Sequence, residues 1–134
     1  MSSGHAVGTF EVQLKMLGTH TSDDPTLARM SIDKRFHGDL EGTSRGEMLS
    51  AATPVKDSAG YVAMERVTGT VAGRSGSFVL QHSATMTRGV PSLSVTVVPD
   101  SGTGELAGLT GALKIIIDSD SHAYEFDYNL PAAG

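Results

Sequence analysis

From Gly8 to Met16 the chain alternates strictly. Gly8, Phe10, Val12, Leu14 and Met16 share one phase, and Thr9, Glu11, Gln13 and Lys15 take the other. Successive side chains of a strand point to opposite faces, so this pattern belongs to a sheet with one buried face. It recurs between Ala28 and His37, where Met30, Ile32, Lys34 and Phe36 oppose Ser31, Asp33, Arg35 and His37. No window of helical length repeats apolar residues at the spacing of a helix face with caps at both ends.

The punctuation fits strands joined by tight turns. Glycine contributes 16 of 134 residues, against about 7% in average proteins. Gly18 to Pro25 is a polar loop, and Gly38 to Gly42 is a turn or bulge leading into a third strand through Met48 and Leu49. Pro54 to Gly60 is a second loop. Residues 61–72 and 75–87 form a hairpin that turns near Gly73-Arg74-Ser75-Gly76. Leu93, Val95 and Val97 mark the next strand, stopped by Pro99 to Gly102, and Thr103 to Thr110 has room for one helical turn. Leu113, Ile115 and Ile117 then pair across Ser119-Asp120 with Tyr124, Phe126, Tyr128 and Leu130. About eight strands with short connections predict an all-β chain, 1–134, as one domain closed into an antiparallel barrel. A two-sheet sandwich is the structural alternative.

Charge and composition narrow the partners. The net charge of −5 and pI near 5.4, with scattered Lys and Arg, count against nucleic acid. No apolar run approaches the roughly 20 residues that span a bilayer, and the opening Met1 to His5 lacks the features of a signal peptide. A cytoplasmic, non-membrane protein is the expectation. Cysteine is absent, which excludes disulfides and thiolate chemistry. Gly102 to Gly108 has one residue too many between its last glycines for a dinucleotide fingerprint, and no βαβ unit surrounds it. His37, Asp39 and Glu41 alternate around turn glycines. Asp118 to His122 sits at a hairpin tip without the glycine and distal glutamate of a calcium loop. Both are solvated turns, and neither a metal nor a cofactor is expected.

Four separated stretches resemble a known family. They are Gly38 to Gly42, Gly73-Arg74-Ser75-Gly76-Ser77-Phe78-Val79-Leu80-Gln81-His82, Val97 to Gly108, and Tyr124-Glu125-Phe126-Asp127-Tyr128. In this order they resemble the bacterial domain-of-unknown-function family number 3224 from about residue 5 to 131, with one departure near Ala84, where glycine is expected. The resemblance implies an allene oxide cyclase-like, calycin-like barrel. Such barrels often assemble into oligomers, and cofactor-free cyclases and isomerases occur on them. Fold alone does not assign a reaction.

The chemistry-bearing candidates lie on the central hairpin and the last strand. A two-residue turn at Gly73-Arg74 would place Glu65 opposite His82, Tyr61 opposite Met86, Val67 opposite Leu80 and Gly69 opposite Phe78, all on one face. Glu65 and His82 then form either a catalytic acid/base pair or a satisfied core pair. A longer loop would move His82 opposite Arg66, or leave Glu65 only diagonal to it. Tyr61, Phe78 and Leu80 would line the same lumen. Tyr124 and Tyr128 could stack on an apolar ligand or serve as core. Lys34 either enters the lumen to pair with Glu65 or snorkels past a barrel end, the second being preferred.

The leading functional expectation is a lumen that binds a small, largely apolar molecule. A cofactor-independent isomerase or cyclase using Glu65 and His82 is the second, and an oligomeric structural protein with a packed lumen is the third. Val98 and Ile116, on the phase opposite their strands' main apolar sets, predict a homodimer contact.

Overall fold

The structure is a computed structural model that describes residues 2–18, 26–117 and 121–131. Residues 19–25 of the expected polar loop and 118–120 of the Asp118 to His122 turn lie outside them. Eight strands follow in order: β1 (Ser2–Gly18), β2 (Leu27–Gly38), β3 (Leu40–Ala52), β4 (Ala59–Val71), β5 (Arg74–Thr87), β6 (Val90–Val97), β7 (Thr110–Ile117) and β8 (His122–Leu130). One 3-10 turn, Gly104–Leu106, stands where a helical turn was expected. Each strand pairs antiparallel with its sequence neighbours, and β1 also pairs with β8, which closes the barrel. The architecture is therefore all-β and calycin-like, and the sandwich alternative is excluded. No helix in the described residues is long and apolar enough to cross a membrane.

The alternating phase decides what lies inside. Phe10, Ile32, Phe36, Val67, Phe78, Leu80, Val95, Leu113 and Phe126 are buried, whereas their strand neighbours face outward. β3, β4 and β5 run 13, 13 and 14 residues, about twice the usual strand length. Such a barrel is tall enough for its two ends to differ. At one end Leu106 and Leu109, both fully buried, plug the lumen over a stacked Phe78–Phe126 pair with ring centroids 5.9 Å apart. At the other end Leu14, Met16, Met86, Leu93 and Ile117 are exposed around an open mouth.

The central hairpin keeps its predicted face but shifts its register. The turn is Ala72-Gly73, with φ of 49° and 81°, so Val71 pairs with Arg74 and Glu65 with Leu80. Ala63, not Glu65, is directly opposite His82. Tyr61 faces Ala84 rather than Met86, Val67 faces Phe78, and Gly69 faces Gly76. The reason lies in the turn. A two-residue turn with both φ values positive favours glycine at its second position, which puts small Ala72 first and keeps Arg74 out of the left-handed region. The β5–β6 turn repeats the arrangement with Arg88-Gly89, at φ of 47° and 90°.

The barrel wall is uneven. β6 joins β7 through a single residue pair, Thr96 with Ala112, while the chain from Val98 to Thr103 continues to hydrogen-bond along β5. On the outer face, Ile116 is exposed and Val98 is half-buried. Leu49, Val62 and Met64 are further exposed apolar residues, Leu49 and Val62 being cross-strand partners.

Candidate functional site

Glu65 and His82 are diagonal neighbours across β4 and β5, and their side chains meet. His82 Nε2 lies 2.8 Å from Glu65 Oε1, the Lys34 ammonium donates to the same oxygen at 3.0 Å, and the Ser44 hydroxyl donates to Oε2 at 2.8 Å. Gly46 makes this possible. It stands opposite Glu65, and a β-carbon there would meet the Glu65 backbone at 2.6 Å. Glu65 is 1% exposed, His82 3% and Ser44 3%. Lys34 therefore enters the barrel and does not snorkel past its end. Its Nζ lies 5.1 Å from the Phe10 ring centroid and 5.8 Å from that of Phe36, so two aromatic faces also surround the charge.

The electrostatics follow from these contacts. Burial pushes the Glu65 carboxyl up. The His82 hydrogen bond, the Lys34 charge, the His82 charge and the Ser44 hydroxyl outweigh that penalty and hold its pKa at about 2. Glu65 is a carboxylate at neutral pH and accepts from every partner it has. Tyr61, half-buried, has its phenol pKa raised by burial and by the Glu65 charge. Its ring centroid lies 6.5 Å from that of His82.

Tyr61 also lines a cavity of about 410 Å³ at the mouth, together with Met30, Met48, Ala84, Met86 and Leu93. Met16, Met30 and Met48 are successive cross-strand partners on β1, β2 and β3, so a row of thioethers crosses that side of the barrel. Ser50 and Thr85 add hydroxyl groups to the lining, which is otherwise mainly apolar. The buried Lys34–Glu65–His82 cluster lies next to this cavity through Tyr61. An outer hollow of about 370 Å³ between Glu11, Asp33, Arg35 and Arg45 is of a different kind, with charges of both signs and an Arg45–Asp33 pair at 3.5 Å.

Four expected lining residues lie elsewhere. Phe78 and Leu80 are fully buried in the packed half, and Tyr128 is half-buried there against Phe126, with ring centroids 5.4 Å apart. Tyr124 is 1% exposed, and its hydroxyl accepts the Leu40 N–H at 2.9 Å. That oxygen also lies 3.0 Å from the carbonyl oxygens of His37 and Leu40, to which its single proton is shared. Tyr124 therefore ties β8 to the β2–β3 turn and presents no hydroxyl to a ligand. Tyr124→Phe should cost about 2 kcal/mol in urea unfolding, because a buried N–H loses its acceptor. The His37, Asp39 and Glu41 run is that same turn. Asp39 accepts the Val7 N–H at 3.0 Å and Glu41 the Gly38 N–H at 2.9 Å, while His37 sits 3.0 Å from Glu11.

Met30, Met48, Ser44 and Met86 were not singled out from the sequence. On β3 the inward phase reads Gly42, Ser44, Gly46, Met48 and Ser50, and its glycines and serines hide the alternation that apolar residues reveal on β1 and β2.

The family model described as "Protein of unknown function (DUF3224)" matches residues 6–128. The chain belongs to the DUF3224 family. Among solved structures, a DUF3224 protein of unknown function from Shewanella oneidensis MR-1 is similar, with 47% identity and a TM-score of 0.91. The match covers 98% of this chain and 100% of that one. No curated protein matches the chain. Membership in DUF3224 supports the barrel and brings no assigned activity with it.

Proposed function

We propose that this chain is a binding module that receives one small, largely apolar molecule in the open mouth of its barrel. The cavity carries the reading: about 410 Å³, lined by Met30, Met48, Tyr61, Ala84, Met86 and Leu93. Its volume falls within the roughly 300–1,000 Å³ of small-molecule sites. Methionine side chains suit such a role, since three rotatable bonds and a polarisable sulfur let them fit ligands of varied shape. The packed half below supplies a rigid floor.

The same geometry counts against a proton-transfer role for Glu65. A general base works best with a pKa near the working pH. Glu65, held at about 2 by three donors, is a weak base and does not line the mouth cavity. Its contacts are those of a structural anion that fixes His82 and neutralises Lys34.

An apolar fluorophore such as N-phenyl-1-naphthylamine tests the reading. We expect saturable one-to-one binding, weakened at least tenfold in Ala84→Trp, whose indole would fill the mouth. Fluorescence that never saturates, or that Ala84→Trp leaves unchanged, would contradict it.

A further inference from the structure

Resting on that reading, we propose that the molecule received in the mouth is an apolar compound bearing a hydrogen-bond acceptor, such as a ketone oxygen, and that the Tyr61 hydroxyl is the donor that recognises it. The first ground is position. Ser50, Tyr61, Ala84 and Leu93 are successive cross-strand partners on β3, β4, β5 and β6, and all four line the cavity. Directly opposed residues share a face of the sheet, so Tyr61 stands in this row between Ser50 and the small Ala84. Met30, Met48 and Met86 make the lining around it mainly apolar.

The second ground is availability. Tyr61 makes no hydrogen bond among the described residues, in contrast to Tyr124, whose hydroxyl is fully engaged at the β2–β3 turn. No sealed side-chain nitrogen or oxygen among the described residues lacks a partner. The Tyr61 oxygen is therefore not sealed and reaches space that a water-sized group can enter. The space that Tyr61 lines is the mouth.

The third ground is chemistry. Burial and the Glu65 carboxylate both push the phenol pKa above its ordinary value of 10, so the oxygen keeps its proton at neutral pH. A phenol shares its oxygen lone pair with the ring and donates better than it accepts. A ligand that fills the mouth without an acceptor leaves this O–H unpaired, whereas a ketone oxygen satisfies it, and that difference discriminates between them.

The test uses 2-acetylnaphthalene and 2-isopropenylnaphthalene, which match in shape and differ in an oxygen replaced by a methylene group. Tyr61→Phe should weaken 2-acetylnaphthalene about three- to tenfold, the worth of one net hydrogen bond, and leave 2-isopropenylnaphthalene within about twofold. The carbonyl stretch of the bound ketone should lie at lower frequency on wild type than on Tyr61→Phe. Should that variant fail to fold, the wild-type band decides the matter: below its frequency in cyclohexane it supports the donor, and at that frequency it refutes it. Equal effects of Tyr61→Phe on the two compounds, or a carbonyl band that the variant leaves in place, would overturn this inference and leave the apolar binding site standing. Binding of neither compound to wild type would overturn both.

Discussion

Lys34→Met is expected to destabilise the barrel by about 3–5 kcal/mol, the usual cost of leaving one member of a buried ion pair without its partner. The Glu65 carboxylate is 1% exposed, so water cannot take over from the ammonium 3.0 Å away. Methionine keeps the length of the lysine stem and its packing on Phe10 and Phe36, which confines the change to the charge. Combining it with Glu65→Gln should recover most of the loss. The amide oxygen still accepts from His82 Nε2, the amide NH2 donates to the Ser44 hydroxyl oxygen, and no isolated charge remains. Urea unfolding of wild type, both single variants and the double variant closes the cycle. A Lys34→Met protein within about 1 kcal/mol of wild type would mean that the ammonium is not held by Glu65.

Acid should remove a comparable amount by the same route. The ordinary glutamate pKa is 4.5 and that of folded Glu65 is about 2. A depressed folded pKa contributes stability that is complete above 4.5 and is lost as pH falls from there through 2. The difference amounts to about 3 kcal/mol. Other carboxylates also titrate in this range, so the informative quantity is the stability of wild type minus that of Glu65→Gln. That difference should fall by about 3 kcal/mol between pH 5 and pH 2. A difference independent of pH would show that Glu65 is not the strongly ionised group that its contacts require.

How much of this was legible in the sequence depended on what each residue type can signal. Apolar alternation on β1, β2 and β8 announced the barrel and its inward face, and glycines marked the turns. A shared face for Glu65 and His82 followed from period 2 for a two- or four-residue turn, though not for a three-residue one, which would have set Arg66 opposite His82. The register did not, because Gly73 fits either position of a two-residue turn on paper and only the φ demands of both positions separate them. Lys34 shares the inward phase, and of the two outcomes open to it, snorkelling past a barrel end was preferred to pairing with Glu65; the carboxylate, contributed from two strands away, offsets the cost of burying the ammonium. Tyr124 and Tyr128 shared the inward phase with real lining residues, but phase says nothing about height along the axis. The packed end took them, along with Phe78 and Leu80. The methionine mouth was spread over β1, β2, β3 and β5 and becomes a site only once the cross-strand pairs are known.

The most direct test of a ligand-receiving mouth is a titration followed through methionine methyl groups labelled with 13C, using 2-methoxynaphthalene as the probe. Met30, Met48 and Met86 line the cavity, whereas Met64 lies exposed on the outer face and serves as an internal control. The account predicts that the three mouth methyls shift along one saturating curve while Met64 stays in place. Shifts confined to Met64, or no shift at any methyl, would contradict it.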